Sequence, residues 1–197
     1  MPRPRDRFSI LFVCTGNICR SPTAERMLRH ALVDRLGDAA SHFEVGSAGT
    51  GALVDYPIQK HAAELLTRQG IDVSGFAARQ LDAELVADAD LVLGLTREHR
   101  AAAATAAPSI IRRLFTLREF ARLAEAGAAE VRPEQPPVER ARALAQAATA
   151  QRGIVRPEKP GDDDVPDPYG GPADAYRLAF TLIEASVRVV AELIATG

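Results

Sequence analysis

Apolar positions along the chain follow two rhythms that alternate. Four runs are nearly continuous: "FSILFV" (8–13), "FEV" (43–45), "ADLVLGL" (89–95) and "IIRRLFT" (110–116). Unbroken apolar runs are what strands covered on both faces require. Between them the spacing becomes helical. Ala24, Leu28, Ala31 and Leu32 mark one face of a helix that Ser21-Pro22 should open, with Ser as N-cap and Pro at the first helical position. Residues 57–69 read as a helix closed by Gly70, and 96–107 as another opened by Thr96 and stopped by Pro108. From 172 to 195, Tyr176, Ala179, Ile183, Val187, Val190 and Ile194 form one long stripe. Strands separated by helices predict an α/β fold, a doubly wound four-stranded parallel sheet with flanking helices. Its ligand site belongs at the carboxyl ends of the strands, and Cys14 closes the first, so the active-site loop falls between the first strand and the first helix.

Two stretches break the alternation. Residues 127–160 are rich in Ala, Pro, Arg and Glu, and "PPVERARALAQAATAQR" reads as a helix with a weak apolar face. This helical insertion is either a peripheral excursion or a lid or recognition surface. "RPEKPGDDDVPDPYGGP" (156–172) holds too much Pro, Gly and Asp for a regular element and reads as a functional loop. The whole, 1–197, fits a single domain without internal repeats.

Composition narrows the classes. The chain is 47% hydrophobic but only 5% aromatic with no Trp, so aliphatic and Ala packing must fill the core. Lys plus Arg is 24 against 26 Asp plus Glu, which provides no broad positive field for nucleic acid. No segment approaches the roughly 20 apolar residues of a membrane span, and the basic start before Phe8 lacks a cleavage signal. Two cysteines, at 14 and 19, make no disulfide framework, and the cytoplasm is the expected compartment. His30, His42, His61 and His99 have no metal-ligand spacing and are expected to be solvated or capping; no metal or cofactor is implied.

The junction between first strand and first helix carries the chemistry. Cys14-Thr15-Gly16-Asn17-Ile18-Cys19-Arg20 is C-x5-R entering a helix. A loop of this length can turn the N–H groups of Thr15, Gly16, Asn17, Ile18 and Cys19 inward as an anion nest, to which the helix N-terminus adds positive charge. Gly16 and Asn17 tolerate positive φ. The planar fork of Arg20 matches two phosphate oxygens, and the same field stabilises a thiolate at Cys14. Ser21 is close enough to donate to that thiolate. Taken singly, Cys14 could be a small buried apolar residue and Arg20-Ser21 a helix-start charge and cap. A Walker A loop is excluded because no G-K-[ST] follows, and a dinucleotide fingerprint because Gly16 is the only glycine here.

"VCTGNICRSPTAERML" resembles the signature of the low-molecular-weight protein-tyrosine phosphatases, as do "SAGTG" (47–51) after the second strand and "VPDPYGG" (165–171) at their general-acid loop. The resemblance runs from Phe8 to the last helix, outside about 127–160. It implies a phosphotyrosine-protein phosphatase in which Cys14 accepts the phosphoryl group and Arg20 clamps its oxygens. Ser21 would stabilise the departing thiolate, and Asn17 would support the loop through Ser21 and Ser47. Asp167 would be general acid and then base, Leu53 and Tyr169 would form the substrate rim, and Cys19 could form a reversible disulfide with Cys14. On residues alone, Asp167 could be a turn residue before Pro168, as Asp162, Asp163 and Asp164 are expected to be, and Cys19 could be loop packing.

Leu53 stands where the family often has an aromatic, and Phe76 in "GFAARQ" replaces a common His. Both bear on efficiency and phosphotyrosine preference. Two alternatives share the loop: an arsenate reductase and a non-catalytic phospho-ligand module. The first relays a disulfide to later cysteines, and none follows Cys19. The second has no need of Asp167. The substrate protein and the oligomeric state are not indicated.

Overall fold

The computed structural model describes residues 6–159 and 161–196; the basic start at 1–5 lies outside them. Four parallel strands, β1 (Phe8–Cys14), β2 (Phe43–Gly49), β3 (Leu91–Gly94) and β4 (Leu114–Thr116), lie in the order β2-β1-β3-β4. The helices are α1 (Arg20–Leu36), α2 (Lys60–Arg68), α3 (Ala83–Asp88), α4 (Arg97–Ala106), α5 (Leu117–Gly127), α6 (Pro137–Ala150) and α7 (Ala173–Ala195).

The continuous apolar runs are explained by cover on both faces. Along β1, Phe8, Ile10, Phe12 and Cys14 join the larger core under α1, α2 and α5–α7. Leu11 and Val13 point the other way, into a smaller core with Val86, Ala103, Ala107 and Ile110 around α3 and α4. Phe12 and Phe115 are wholly enclosed, and truncating either to Ala would cost about 3–5 kcal/mol.

Three expectations are corrected. The run at 110–116 is a strand only over Leu114–Thr116, because Pro108 opens a 3-10 turn that carries the chain through Arg113. Ser21 is not the N-cap: α1 starts at Arg20, Cys19 holds the cap position without a capping bond, and the Ser21 hydroxyl is bonded within the loop instead. The 127–160 stretch does form a helix, but not a peripheral one. In α6, Val138, Ala141, Leu144, Ala145 and Ala148 enter the main core against α5 and α7. Buried Arg140 reaches the Ile194 carbonyl at 2.8 Å and so satisfies the end of α7. Helix α5 escaped the apolar pattern, although its capping box, Thr116 with Glu119, is legible as T-x-x-E.

Both sheet edges are covered by arginines. On β2, Arg29 donates to the Val45 carbonyl and Arg79 Nε to Ser47 O at 2.7 Å; on β4, Arg152 donates to Leu114 O while its guanidinium lies 3.8 Å from the Phe115 ring centre. Among the described residues no helix is long and apolar enough to cross a membrane.

Candidate active site

The loop after β1 is shaped from outside. Its carbonyls accept from the next layer of chain: Thr50 N–H to Cys14 O (2.9 Å), Gly51 to Thr15 O (3.0 Å), Leu53 to Gly16 O (3.0 Å) and Gln59 to Ile18 O (2.8 Å). With the carbonyls turned outward, the N–H-bearing side of the loop borders a cavity of about 230 Å³ lined by Cys14, Thr15, Gly16, Ile18, Cys19, Arg20, Gly51, Leu53, Asp167 and Tyr169. The supporting strand must come very close. A Cβ on Gly49 would sit 2.3 Å from Thr15 O, so this position admits no side chain.

Asn17 takes the left-handed conformation (φ 54°) and is wholly buried. Its amide donates to Ser21 Oγ and to Ser47 Oγ, both at 2.9 Å, and its Oδ1 accepts the Arg79 N–H at 2.9 Å. Ser47 in turn donates its O–H to Glu25 Oε2 at 2.6 Å. The direction of this chain matters. Ser21 accepts from Asn17, so its own proton is free to point at Cys14 Sγ, 2.9 Å away, the donor that a thiolate there would need.

Opposite stands the acid loop. Val165, fully buried, donates its N–H to Leu95 O at 2.8 Å and accepts from Arg20 at 3.2 Å. Arg20, 5% exposed, also reaches Asp167 Oδ2 at 2.7 Å, and Tyr169 N–H donates to Asp167 Oδ1 at 3.2 Å. The Arg20 guanidinium and the Asp167 carboxylate are thus paired across the cavity mouth, where Tyr169 and Leu53 stand exposed.

Every residue selected from the sequence is found here: the cavity wall holds nine of them, and Asn17, Ser21 and Ser47 stand behind it. Other participants were missed. Glu25, 5% exposed, anchors Ser47; a carboxylate on the apolar face of α1, four residues after Ser21, was its signal. The expectation for the histidines fails at His99, which is buried with Nε2 2.9 Å from Thr15 Oγ1 and Nδ1 2.8 Å from Thr96 Oγ1. Burial, then the charge of Arg20, brings His99 down to about 4. Asp163 and Asp164 are also more than turn residues: Arg122 holds the first at 2.8 Å and Arg97 the second at 2.8 Å. Asp162 does close a turn, by accepting the Lys159 N–H. Phe76, standing where the family commonly has a His, lies with its ring centre 5.7 Å from the Arg26 guanidinium, and the Arg79 backbone serves Asn17.

Both cysteines are free thiols, and burial, then the proximity of Cys14, pushes Cys19 up to about 12. Among the described residues no three His, Cys, Asp or Glu side chains gather as a metal site. A larger groove of about 1020 Å³ along the open side of β2 is lined by Arg29, Arg79 and Asp82 but holds neither cysteine and none of the acid loop.

Residues 9–143 match the family model for low molecular weight phosphotyrosine protein phosphatase. The chain is 41% identical to the phosphatase Etp of Escherichia coli K12 over 102 residues, which are 52% of this chain and 64% of Etp. It is 29% identical to a putative low molecular weight protein-tyrosine-phosphatase of Klebsiella pneumoniae over 93% of this chain and 95% of that protein. Among solved structures, a low molecular weight protein tyrosine phosphatase from T. tengcongensis superposes with a TM-score of 0.66 at 28% identity, covering 94% and 98% of the two chains. The YwlE arginine phosphatase of Geobacillus stearothermophilus does so at 0.66 and 28%, covering 94% and 91%. The chain belongs to the low molecular weight phosphotyrosine protein phosphatase family.

Proposed function

We propose that this protein hydrolyses aryl phosphate monoesters, phosphotyrosine in proteins above all, through a phosphocysteine on Cys14. The observation that carries the reading is the convergence on one cavity of a cysteine with a hydroxyl donor at its sulfur, an N–H-lined loop, an arginine fork and a carboxylate. An incoming phosphoryl group competes with Asp167 for Arg20, and so frees the carboxyl group to face the ester oxygen. The Cys14 thiolate attacks phosphorus; the S–P bond forms, the P–O bond to the phenol breaks, and Asp167 gives its proton to the departing oxygen. Asp167 then takes a proton from water, whose oxygen attacks phosphorus. The S–P bond breaks, inorganic phosphate leaves, and the thiolate returns to the Ser21 hydrogen bond. Arg20 and the loop N–H groups balance the charge gathering on the equatorial oxygens.

Ile18, Leu53 and Tyr169 give the cavity an apolar wall suited to a phenyl ring, and Val54 and Tyr56, exposed just beyond Leu53 in the chain, offer further apolar surface to a polypeptide substrate. With a net charge of −2, nucleic acid is a poor partner, and free thiols suit the cytoplasm. A phospho-ligand module would need no Asp167, and an arsenate reductase would need a cysteine beyond Cys19. Turnover of p-nitrophenyl phosphate and of a phosphotyrosine peptide, blocked by vanadate and trapped by rapid quench as a phosphoryl group on the Cys14 peptide, is the expected result. Faster release of phosphate from a phosphoarginine peptide than from a phosphotyrosine one would assign the other chemistry named among the structural neighbours.

A further inference from the structure

The first turn of α4 touches both halves of the site. Leu95, just before it, donates its N–H to Val13 O at 2.8 Å, next to Cys14, and accepts the N–H of Val165 in the acid loop at 2.8 Å. Thr96 caps the helix. Arg97 then reaches forward: its backbone N–H meets Asp164 Oδ1 at 2.8 Å, and its guanidinium meets Oδ2 at 2.8 and 3.1 Å. Two residues on, His99 reaches back to Thr15 in the phosphate loop. Within five consecutive positions, Leu95, Arg97 and His99 therefore bind the nucleophile's loop on one side and the proton donor's loop on the other.

The two holds differ in kind: that of His99 is buried, whereas that of Arg97 lies at the surface but is made at several points. His99 is 5% exposed, and its two ring nitrogens are both engaged by threonine hydroxyls, so the ring cannot turn without losing a buried bond. A neutral imidazole donates at one nitrogen and accepts at the other, which suits two hydroxyls. Arg97 holds Asp164 bidentately and by its backbone as well, three residues before Asp167. Between them Val165 is tied at both its N–H and its carbonyl, which leaves Pro166 as the only residue between that anchor and Asp167.

We infer that the first turn of α4 is a brace that fixes the distance between nucleophile and proton donor, with Arg97 and His99 as positioning residues for the acid loop and the phosphate loop respectively. The inference rests on the phosphatase reading of the site. Its force comes from the geometric demand of the reaction, since displacement of a catalytic group by about 1 Å can cost 10²-fold in rate. A hold from any other part of the chain would have been enough to keep the loop folded; one made from the same five-residue segment that holds the other loop sets their separation.

The two ends predict different kinetic signatures. Arg97→Gln loosens only the proton donor, so kcat for a phosphotyrosine peptide should fall about tenfold while p-nitrophenyl phosphate, whose leaving oxygen needs little protonation, changes less than about twofold. Vanadate affinity should not move. His99→Gln disturbs the anion nest, so vanadate affinity should fall about fivefold to tenfold and both substrates should slow together. Equal losses on both substrates in Arg97→Gln, or unchanged kinetics in both variants, would overturn the brace. A readout independent of turnover is amide exchange at Val165, expected to quicken in Arg97→Gln with the melting temperature nearly kept; unchanged exchange would overturn the brace even if the wild-type protein proved inactive, an outcome that would instead refute the phosphatase reading.

Discussion

The phosphate loop and the acid loop face each other across one cavity but are held by opposite kinds of interaction. Behind the phosphate loop lie buried hydrogen bonds, donated from Asn17 through Ser47 to Glu25 and linking Asn17, Ser21 and Cys14. The acid loop is held by arginine–carboxylate pairs with a wet side, Arg97–Asp164 and Arg122–Asp163. Buried networks are strong, unscreened and unforgiving of a missing partner. Pairs at the surface are adjustable and salt-sensitive. The division suits the proposed reaction: an anion nest would have to be shaped before substrate arrives, whereas a carboxyl that leaves Arg20 for the substrate would have to be able to move.

The sharpest break in the comparison is at Cys14, the proposed nucleophile. Cys14→Ser should drop turnover below about 1% of wild type while phosphate analogues still bind, because an alcohol is a poor nucleophile and the nest and Arg20 survive. Calorimetric titration with vanadate alongside a p-nitrophenyl phosphate assay reads both. On the other loop, Asp167→Asn should slow phosphotyrosine cleavage by about 10²–10⁴ and p-nitrophenyl phosphate distinctly less, with the analogue affinity retained. Asp164→Asn should show a weaker form of the same leaving-group dependence. If Asp167→Asn slowed both substrates equally, the proton would come from elsewhere.

Next in size is the network behind the phosphate loop. Asn17→Ala removes two donors and an acceptor, and forces Ala into a left-handed conformation; each buried group left unpaired costs about 1–3 kcal/mol. A clear fall in melting temperature with a loss of vanadate affinity is expected. Removing Arg122 should leave that affinity alone.

The residues that gather at the cavity were more legible than the helices around it. A ligand loop is specified by a few adjacent residues whose chemistry has no bland joint explanation, so Cys14, Asn17, Arg20 and Ser21 could be chosen at once. Asp167 was chosen by its D-P-Y setting. Glu25, Arg79, Arg97 and His99 were not, because each acts through contact with residues far off in sequence: His99 meets Thr15 across 84 positions and Arg97 meets Asp164 across 67. Helix α6 was seen but misplaced. Its small apolar face looked too weak to be core, yet Ala141, Ala145 and Ala148 are what permits close approach to α5 and α7. The family match itself ends at 143, before the acid loop.

A smaller effect comes from pH. His99 has a folded value of about 4 against an ordinary 6.5, so between those values the unfolded chain binds more protons at this residue and stability falls as pH is lowered. His99→Gln should flatten that part of the melting temperature against pH relative to wild type. Smallest of all is salt. Raising ionic strength at saturating substrate should lower kcat for phosphotyrosine by no more than about fivefold, since exposed pairs are worth roughly 0.2–1 kcal/mol. The p-nitrophenyl phosphate rate should scarcely respond, and equal salt sensitivity for the two substrates would erase the distinction between the loops.

The guanidiniums along the two outer strands have a consequence for the protein in bulk. A parallel sheet that ends in open carbonyls offers a template on which another chain can grow, and here Val45, Ser47 and Leu114 already have their acceptors filled by Arg29, Arg79 and Arg152. To polymerise edge to edge, a second molecule would have to evict a charged fork and replace its bond. Arg79 makes that barrier part of the site, because the same residue's N–H holds Asn17. A molecule that opened its β2 edge to a neighbour would loosen its anion nest in the same motion, so fibre growth along that edge and phosphate binding should exclude one another.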